Sequence, residues 1–441
     1  MKLHVRTLVL ALVLGHLPQA GPELAQDVDE FAQLVAESVG LTGERELERR
    51  ARQLARAPGA VGKCLELLAR EARGDAPEDG LRLDDAQRRL LARATELLEP
   101  ALVAEQVRDG LSATRDDAWR SAALDLLARH GTAAELALLA ELVLEAEPAR
   151  PRAGLVDGFV QALSELLARE GVSPSRLDAL VDATQALKEP IVHAVGRARD
   201  PEGLVWLSSY LQDHEVGQLA LLEIGRLAAS TSGEAAAVAA DRVHPLLQYE
   251  SDAWRRGALR TLGNLAQPAS VPWLLRSLER ERSPSERRLT FTALREISRV
   301  QLPEDVPSWT RWYAGEEAWL ENARERVTEA LASPDDAEVV AAIHELSTHT
   351  LHRERLTEGL TGLLKHPSST VRAQTCLALA RLGSSRALEE LAPALEDDDE
   401  AVRMAACRAL DALTRWKLGT DAEAWLDALE ERAQGRAARR P

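Results

Sequence analysis

The sequence predicts an all-α solenoid, a stack of antiparallel helix pairs, and three observations predict it. A helical phrase recurs: DAWRSAALDLLARHG from Asp117, DAWRRGALRTLGNLA from Asp252, STVRAQTCLALARLG from Ser369 and EAVRMAACRALDALT from Glu400. The spacing is regular, with 32 residues from Arg255 to Arg287 and 31 from Arg372 to Arg403, a length that suits two helices of three turns and two short connections. The composition is 45% hydrophobic but only 3% aromatic, so Ala and Leu supply the core and little is left to build sheets. Units of this kind cannot bury their apolar faces alone and must stack.

The chain opens with Lys2 and Arg6 ahead of an apolar run from Leu8 to Leu14, extended to Leu17, then Pro18 and small residues around Ala20. That is the charged, apolar, small order of a secretory signal, and the run is too short to cross a bilayer stably. Residues 1–25 are therefore read as a signal peptide and the protein as exported, periplasmic or extracellular. Pro18 and Gln19 depart from an A-x-A-like cut site, which leaves an uncleaved anchor or a core helix open. No later stretch approaches transmembrane length, so no span is expected after signal removal.

Residues 26–113 read as an N-terminal helical region, either degenerate repeats or a helical cap, with amphipathic segments ERELERRARQLAR, VGKCLELLAREA and DDAQRRLLARATELLE. Residues 114–332 read as a first repeat block ending in a Trp-bearing helix. Within its copy at Asp252, Trp254, Ala258, Leu262 and Leu265 form one helical face, and ASVPWLLRSLE supplies the second helix. A second block covers 333–430, opening with the turn and cap chemistry of ASPDDAE, and residues 431–441 form a short basic tail.

A longer repeat is superimposed. Residues 252–313 match 369–429 at an offset of 116 or 117, pairing Arg255 with Arg372, Leu262 with Leu379, Asp305 with Asp421 and Trp309 with Trp425. Each copy ends in a loop, an acidic residue near a helix start and a Trp-bearing helix. The second copy suits the polar-faced cap that a solenoid end needs.

The motif D-x-x-V/W-R-x-x-A-x-x-x-L-x-x-L, present with Asp117, Trp119 and Arg120 and again with Asp252, Trp254 and Arg255, resembles bacterial HEAT-repeat proteins, especially PBS-lyase-like HEAT repeats. Ser369 and Glu400 replace the Asp in two later copies, which keep Val371–Arg372 and Val402–Arg403. The resemblance is strong over 190–415 and weak before 114. It implies a right-handed superhelix whose usual role is scaffolding or protein–protein interaction, with the motif Asp and Arg capping helix ends and pairing between units. It carries no universal catalytic residue.

A formal net charge of −17, with no basic stripe interleaved with aromatics, argues against nucleic-acid binding. Cys64, Cys376 and Cys407 cannot form a complete disulfide framework. Cys376 and Cys407 share a repeat slot with Leu124 and Leu259, which marks them as buried thiols.

The best metal candidate is HELSTHTLHRE, with His344, Glu345, His349 and His352. His344 and His349 are five apart, not the four that aligns two rings on a helix, and the local sequence brings no suitable carboxylate to His349 and His352. They read as exposed loop histidines. EDDDE at Glu396–Glu400 reads as a solvated loop and N-cap, and PGAVGKC at Pro58–Cys64 lacks the spacing of a phosphate loop. No nucleophile signature stands out, so no catalytic residue, metal or cofactor is assigned.

Trp309, Trp312, Tyr313 and Trp319 put four aromatics within eleven residues, the first three on one helical face. Packing outweighs binding for them, given the matching Trp425. They are nonetheless the candidate partner-binding residues. The expectation is a non-enzymatic interaction or scaffolding solenoid acting outside the cytoplasm on an unidentified protein partner. The alternatives are a bilin or tetrapyrrole lyase-like enzyme, suggested by the family's name, and a self-associating structural envelope protein.

Overall fold

The computed structural model describes residues 31–433, apart from residues 32, 58, 74–82, 114–115, 145–149, 229–232, 281–282 and 385. The segment read as a signal and the tail beyond residue 433 lie outside the described residues. Among the described residues the elements are helical, joined by short turns and one isolated antiparallel bridge between Leu144 and Pro151. The chain divides into two compact units, Met1–Val243 and His244–Pro441.

The first unit contains α1 (Glu44–Arg56), α2 (Ala60–Arg73), α3 (Asp85–Glu96), α4 (Pro100–Ala113), α5 (Asp117–His130) and α6 (Leu136–Val143). It continues through α7 (Ala153–Glu170), α8 (Pro174–Ala183), α9 (Lys188–Arg197), α10 (Glu202–Ser209), α11 (Gly217–Ala228) and α12 (Glu234–Val243). First helices stack on first helices: α5 on α7, α7 on α9 and α9 on α11, while α10 lies on α12 behind them. Toward the N-terminus the order changes, because α2 takes the place beside α5 while α1 packs on α3. The three amphipathic segments read in residues 26–113 are these helices, and Ala51, Leu54, Cys64, Leu65, Leu90 and Leu91 fill the space between them.

The second unit begins with a short turn of 3-10 helix, His244–Gln248, and then holds α13 (Asp252–Leu265), α14 (Val271–Leu278), α15 (Pro284–Ser298), α16 (Val306–Asn322) and α17 (Arg324–Ala330). The rest is α18 (Asp336–Leu346), α19 (Arg353–Thr361), α20 (Ser369–Leu382), α21 (Ala387–Leu391), α22 (Glu400–Thr414) and α23 (Ala422–Ala433). Here α13 packs on α15, and α18, α20 and α22 form a second run of stacked first helices. Between these runs, α16 lies against α14 and α17, and α17 against α18. The architecture is the expected all-α stack of helix pairs.

Local sequence explains the helix limits. Ser283 and Glu286 form a reciprocal capping box at the start of α15, with Pro284 in the first turn where no N–H is needed. Gly383 ends α20 in the left-handed region at φ +74. Ala258, Leu259, Leu262 and Leu265 of α13 are all buried, at about 1.5–3 kcal/mol for a fully buried large apolar side chain. In α5 and α22 the capping side chain belongs to the residue before the motif's first position, Asp116 and Asp399, which accept from Ala118 and Ala401. The motif residues Asp117 and Glu400 are already helical, and Asp117 pairs instead with Arg152. In α13, Asp252 pairs with Arg256 one turn on. The expectation that the motif Asp caps the helix is thus corrected by one residue.

Candidate functional site

The recurrent arginines form a built ladder. Arg255 Nη1 donates to the Tyr249 and Glu250 carbonyls just ahead of its own helix, while Nε donates to Glu286 Oε1 of the next unit at 2.7 Å. Arg372 repeats the arrangement on His366 and Pro367, with a bidentate pair to Asp397 at 2.7 and 2.8 Å. Arg403 donates to the Asp397 and Asp398 carbonyls. Arg120 turns the other way, onto the Glu141 and Leu142 carbonyls in the last turn of α6. Arg287 leaves the series and lies over the Phe291 ring. Capping of loop carbonyls and pairing to the next unit explain this series structurally.

The acidic run beside Arg403 has the same character. The Arg372 guanidinium holds the Asp397 carboxyl below its ordinary range, chiefly by hydrogen bonding to it. Asp399 caps α22. The loop and N-cap reading of Glu396–Glu400 stands.

The structure separates the four candidate aromatics. Trp309 is fully buried, donates from Nε1 to the Pro303 carbonyl at 2.9 Å, and meets Trp312 edge to face with centroids 5.6 Å apart. Trp319 is buried in the second unit's core among residues that include Val339, Ile343 and Leu346. A partner cannot reach either without displacing that packing. Trp312 and Tyr313 are half-buried at the surface of α16, where the Tyr313 hydroxyl donates to Glu317 at 2.6 Å. Burial, the Glu317 bond and the Glu317 charge raise the Tyr313 pKa, so the phenol stays protonated. Of the four, Trp312 and Tyr313 form the accessible pair.

The histidines diverge from expectation. His344 is exposed on α18. His349 and His352 are withdrawn from solvent, their side chains only 16% and 15% exposed, against a buried carboxylate that local spacing did not reveal, Glu316. His349 stacks on Trp319 with ring centroids 3.6 Å apart, and its Nδ1 lies 3.2 Å from Glu316 Oε1. The reading of these two as exposed loop histidines is corrected: the aromatic face of Trp319 and the Glu316 carboxylate draw them inward. Among the described residues, no group of three or more His, Cys, Asp or Glu side chains has an arrangement that could hold a metal ion.

Arg353, which sequence reasoning passed over, is the other residue the structure adds. Its guanidinium is buried and reaches the Ile297 carbonyl at 2.6 Å and the Ala266 carbonyl at 3.3 Å, tying α19 to the ends of α15 and α13. Burial lowers its pKa, and nearby Arg299 lowers it further.

The three thiols are buried, as the shared Leu slot indicated for two of them. Burial pushes Cys64 and Cys376 up to about 12 and also raises Cys407. None is a poised nucleophile. In the first unit a cleft of about 260 Å³ between α2, α3 and α5 is lined by residues that include Leu68, Arg88, Thr95, Asp125 and Arg129. Burial raises the Asp125 pKa there, against the opposing charge of Arg129. No helix among the described residues is long and apolar enough to cross a membrane.

Comparison with known proteins finds a family match to the C-terminal part of the chain. Residues 357–440 match the family described as HEAT repeats, a stretch that contains the Arg372 and Arg403 steps of the ladder. A crystal structure described as an engineered protein is similar at 16% identity, covering 64% of this chain and 97% of that one. Its TM-score of 0.18 is too low to support an argument. No curated protein matches the sequence. The described residues are those of a helical-repeat protein, and residues 357–440 are similar to HEAT repeats. HEAT repeats generally mediate protein–protein interaction or scaffolding.

Proposed function

We propose that this chain is a non-enzymatic scaffold that binds a protein partner outside the cytoplasm. The observation carrying the reading is the repeated interlocking of units through Arg255 and Arg372, each joining its own helix start to the next unit's carboxylate. Each pairing fixes one helix against the next, α13 on α15 and α20 on α22, the stacking through which repeat proteins present a binding surface. Trp312 and Tyr313 are the proposed anchors, because they combine aromatic area with partial exposure on one helix. Export rests on the charged, apolar, small order of residues 1–25.

Two experiments test the reading. Fractionation of cells expressing the tagged full-length chain should place it outside the cytoplasm; retention inside overturns the export arm. Affinity capture from envelope and culture fluid should return a discrete protein that the Trp312→Ala/Tyr313→Ala variant no longer retains. Substrate turnover by the purified chain, abolished by a single polar substitution, would overturn the non-enzymatic arm.

A further inference from the structure

We propose that Glu316, His349 and His352 form a proton-operated clasp, which holds residues 347–353 against α16 while His352 is neutral and releases them when His352 takes up a proton. This inference is independent of what the protein binds.

The geometry supplies both the hold and the release. The Glu316 side chain is only 8% exposed, and the His349 imidazole, pinned flat on Trp319, directs Nδ1 at its Oε1 from 3.2 Å. With a carboxylate as acceptor, Nδ1 carries the proton of that bond. The other half of the cluster is unfinished. Glu316 Oε2 and His352 Nε2 are both buried, neither has a hydrogen-bond partner, and they face one another at 3.8 Å. A buried, unsatisfied pair costs free energy, which the released segment would recover by exposing both groups to water.

Burial of the His352 side chain, only 15% exposed, decides the direction. Glu316 is the one carboxylate facing the two imidazoles from α16. From α17, Arg324 acts on His352, and Arg326 lies 3.9 Å from Glu345 at the end of α18. Glu345 is also bonded by Trp319 Nε1. From α19, Arg355 acts on His352, while the buried Arg353 is flanked by Glu354 and feels Arg299 from the end of α15. Burial is the largest influence on His352 and lowers its pKa; Glu316 opposes this, and His349, Arg355 and Arg324 reinforce it. In the released segment the imidazole returns to about 6.5. The released form therefore binds the proton more tightly. The hold is fully present above that value and is lost as pH falls through the lower value of the clasped form.

Release has consequences because the same segment anchors its neighbours. Thr350 Oγ1 donates to the Ser298 carbonyl, Arg353 to the Ile297 and Ala266 carbonyls, and Arg381 to Ser347 Oγ at 2.7 Å. These bonds join the 347–353 segment to the ends of α13 and α15 and to α20. Loosening it uncouples the two runs of first helices in the second unit.

The test is hydrogen exchange of residues 347–353 in the full chain between pH 8 and pH 5, corrected for intrinsic rates, with indole fluorescence recorded in parallel. Wild type should lose protection below about pH 6.5, by about tenfold for each unit by which the clasp lowers the His352 pKa. His352→Gln should flatten that dependence while keeping helicity at pH 8, and Trp319→Phe should remove the matching fluorescence change. Should His352→Gln fail to fold, the wild-type exchange profile together with the His352 titration read by NMR decides the matter. Protection unchanged from pH 8 to 5, protection that rises on acidification, or a pH profile identical in wild type and His352→Gln would overturn the proposal.

Discussion

Trp309 and Trp425, 116 residues apart, make the same bond in the same setting. Each is fully buried and donates its indole N–H to a carbonyl six residues earlier, Pro303 at 2.9 Å and Gly419 at 3.0 Å. Each stands near the start of a helix headed by an acidic residue, Asp305 or Asp421, that accepts backbone N–H groups of the first turn. The helix before each ends in the left-handed region, at Arg299 with φ 60 and at Arg415 with φ 60. One device closes a helix pair in both places.

Trp309→Phe and Trp425→Phe should therefore cost similar amounts. Each removes an indole donor to the carbonyl of an exposed residue, which water can then reach, a net loss of about 0.5–1.5 kcal/mol, and truncation to Ala should raise it to about 3–5 kcal/mol. Chemical denaturation followed by circular dichroism measures both. A large loss at one site and none at the other would break the equivalence.

The Arg372–Asp397 pair predicts an acid limb. The Asp397 carboxyl is depressed in the folded chain, so its contribution is present above the ordinary carboxylate range near 3.8 and is lost as pH falls through the folded value. Arg372→Gln should flatten the stability profile below about pH 4. Arg372→Lys should restore little, because a point charge cannot match a bidentate carboxylate and two carbonyls. Thermal unfolding between pH 3 and pH 7 provides the comparison.

Gly196 on α9 faces the buried Glu223 of α11 so closely that an added Cβ would lie 2.6 Å from the Glu223 Cβ. Glu223 is held by His193 at 2.8 Å and Arg226 at 3.0 Å, so it cannot simply withdraw. Gly196→Ala should destabilise by about 1–3 kcal/mol despite Ala's better helix propensity, as overpacking does. Stabilisation by that substitution would show that α9 and α11 can separate freely.

Thiol accessibility gives a fourth check. A disulfide-exchange reagent should react with fewer than one of Cys64, Cys376 and Cys407 per native chain at pH 8, and with all three after denaturation. Rapid native labelling would mean that the repeat cores open easily.

The repeat architecture was legible because it rests on local periodicity. The apolar spacing in Trp254, Ala258, Leu262 and Leu265 and the recurrence of Arg255 and Arg372 are properties of short segments, and the match of Trp309 to Trp425 needed only self-comparison. The acidic doublets at Asp116–Asp117 and Asp399–Glu400 also held the information that places the cap one residue earlier. What escaped was set by tertiary contact. Glu316 meets His349 across 33 residues, and Arg353 meets Ala266 across 87, so no window on the sequence shows either. The sequence divided the aromatic group by spacing alone; only packing distinguishes the buried Trp309 and Trp319 from the half-exposed Trp312 and Tyr313.

The central claim, that this is a scaffold with an aromatic anchor on α16, is tested most directly by the dissociation constant of the captured partner. It should be measured for wild type, Trp312→Ala/Tyr313→Ala, and a control, Leu222→Ala, at an exposed apolar position of the first unit. The account predicts a loss of about thirtyfold or more in the aromatic variant, about 2 kcal/mol for a hot spot, with the control unchanged and helicity preserved in both. Equal affinities in all three chains would contradict it.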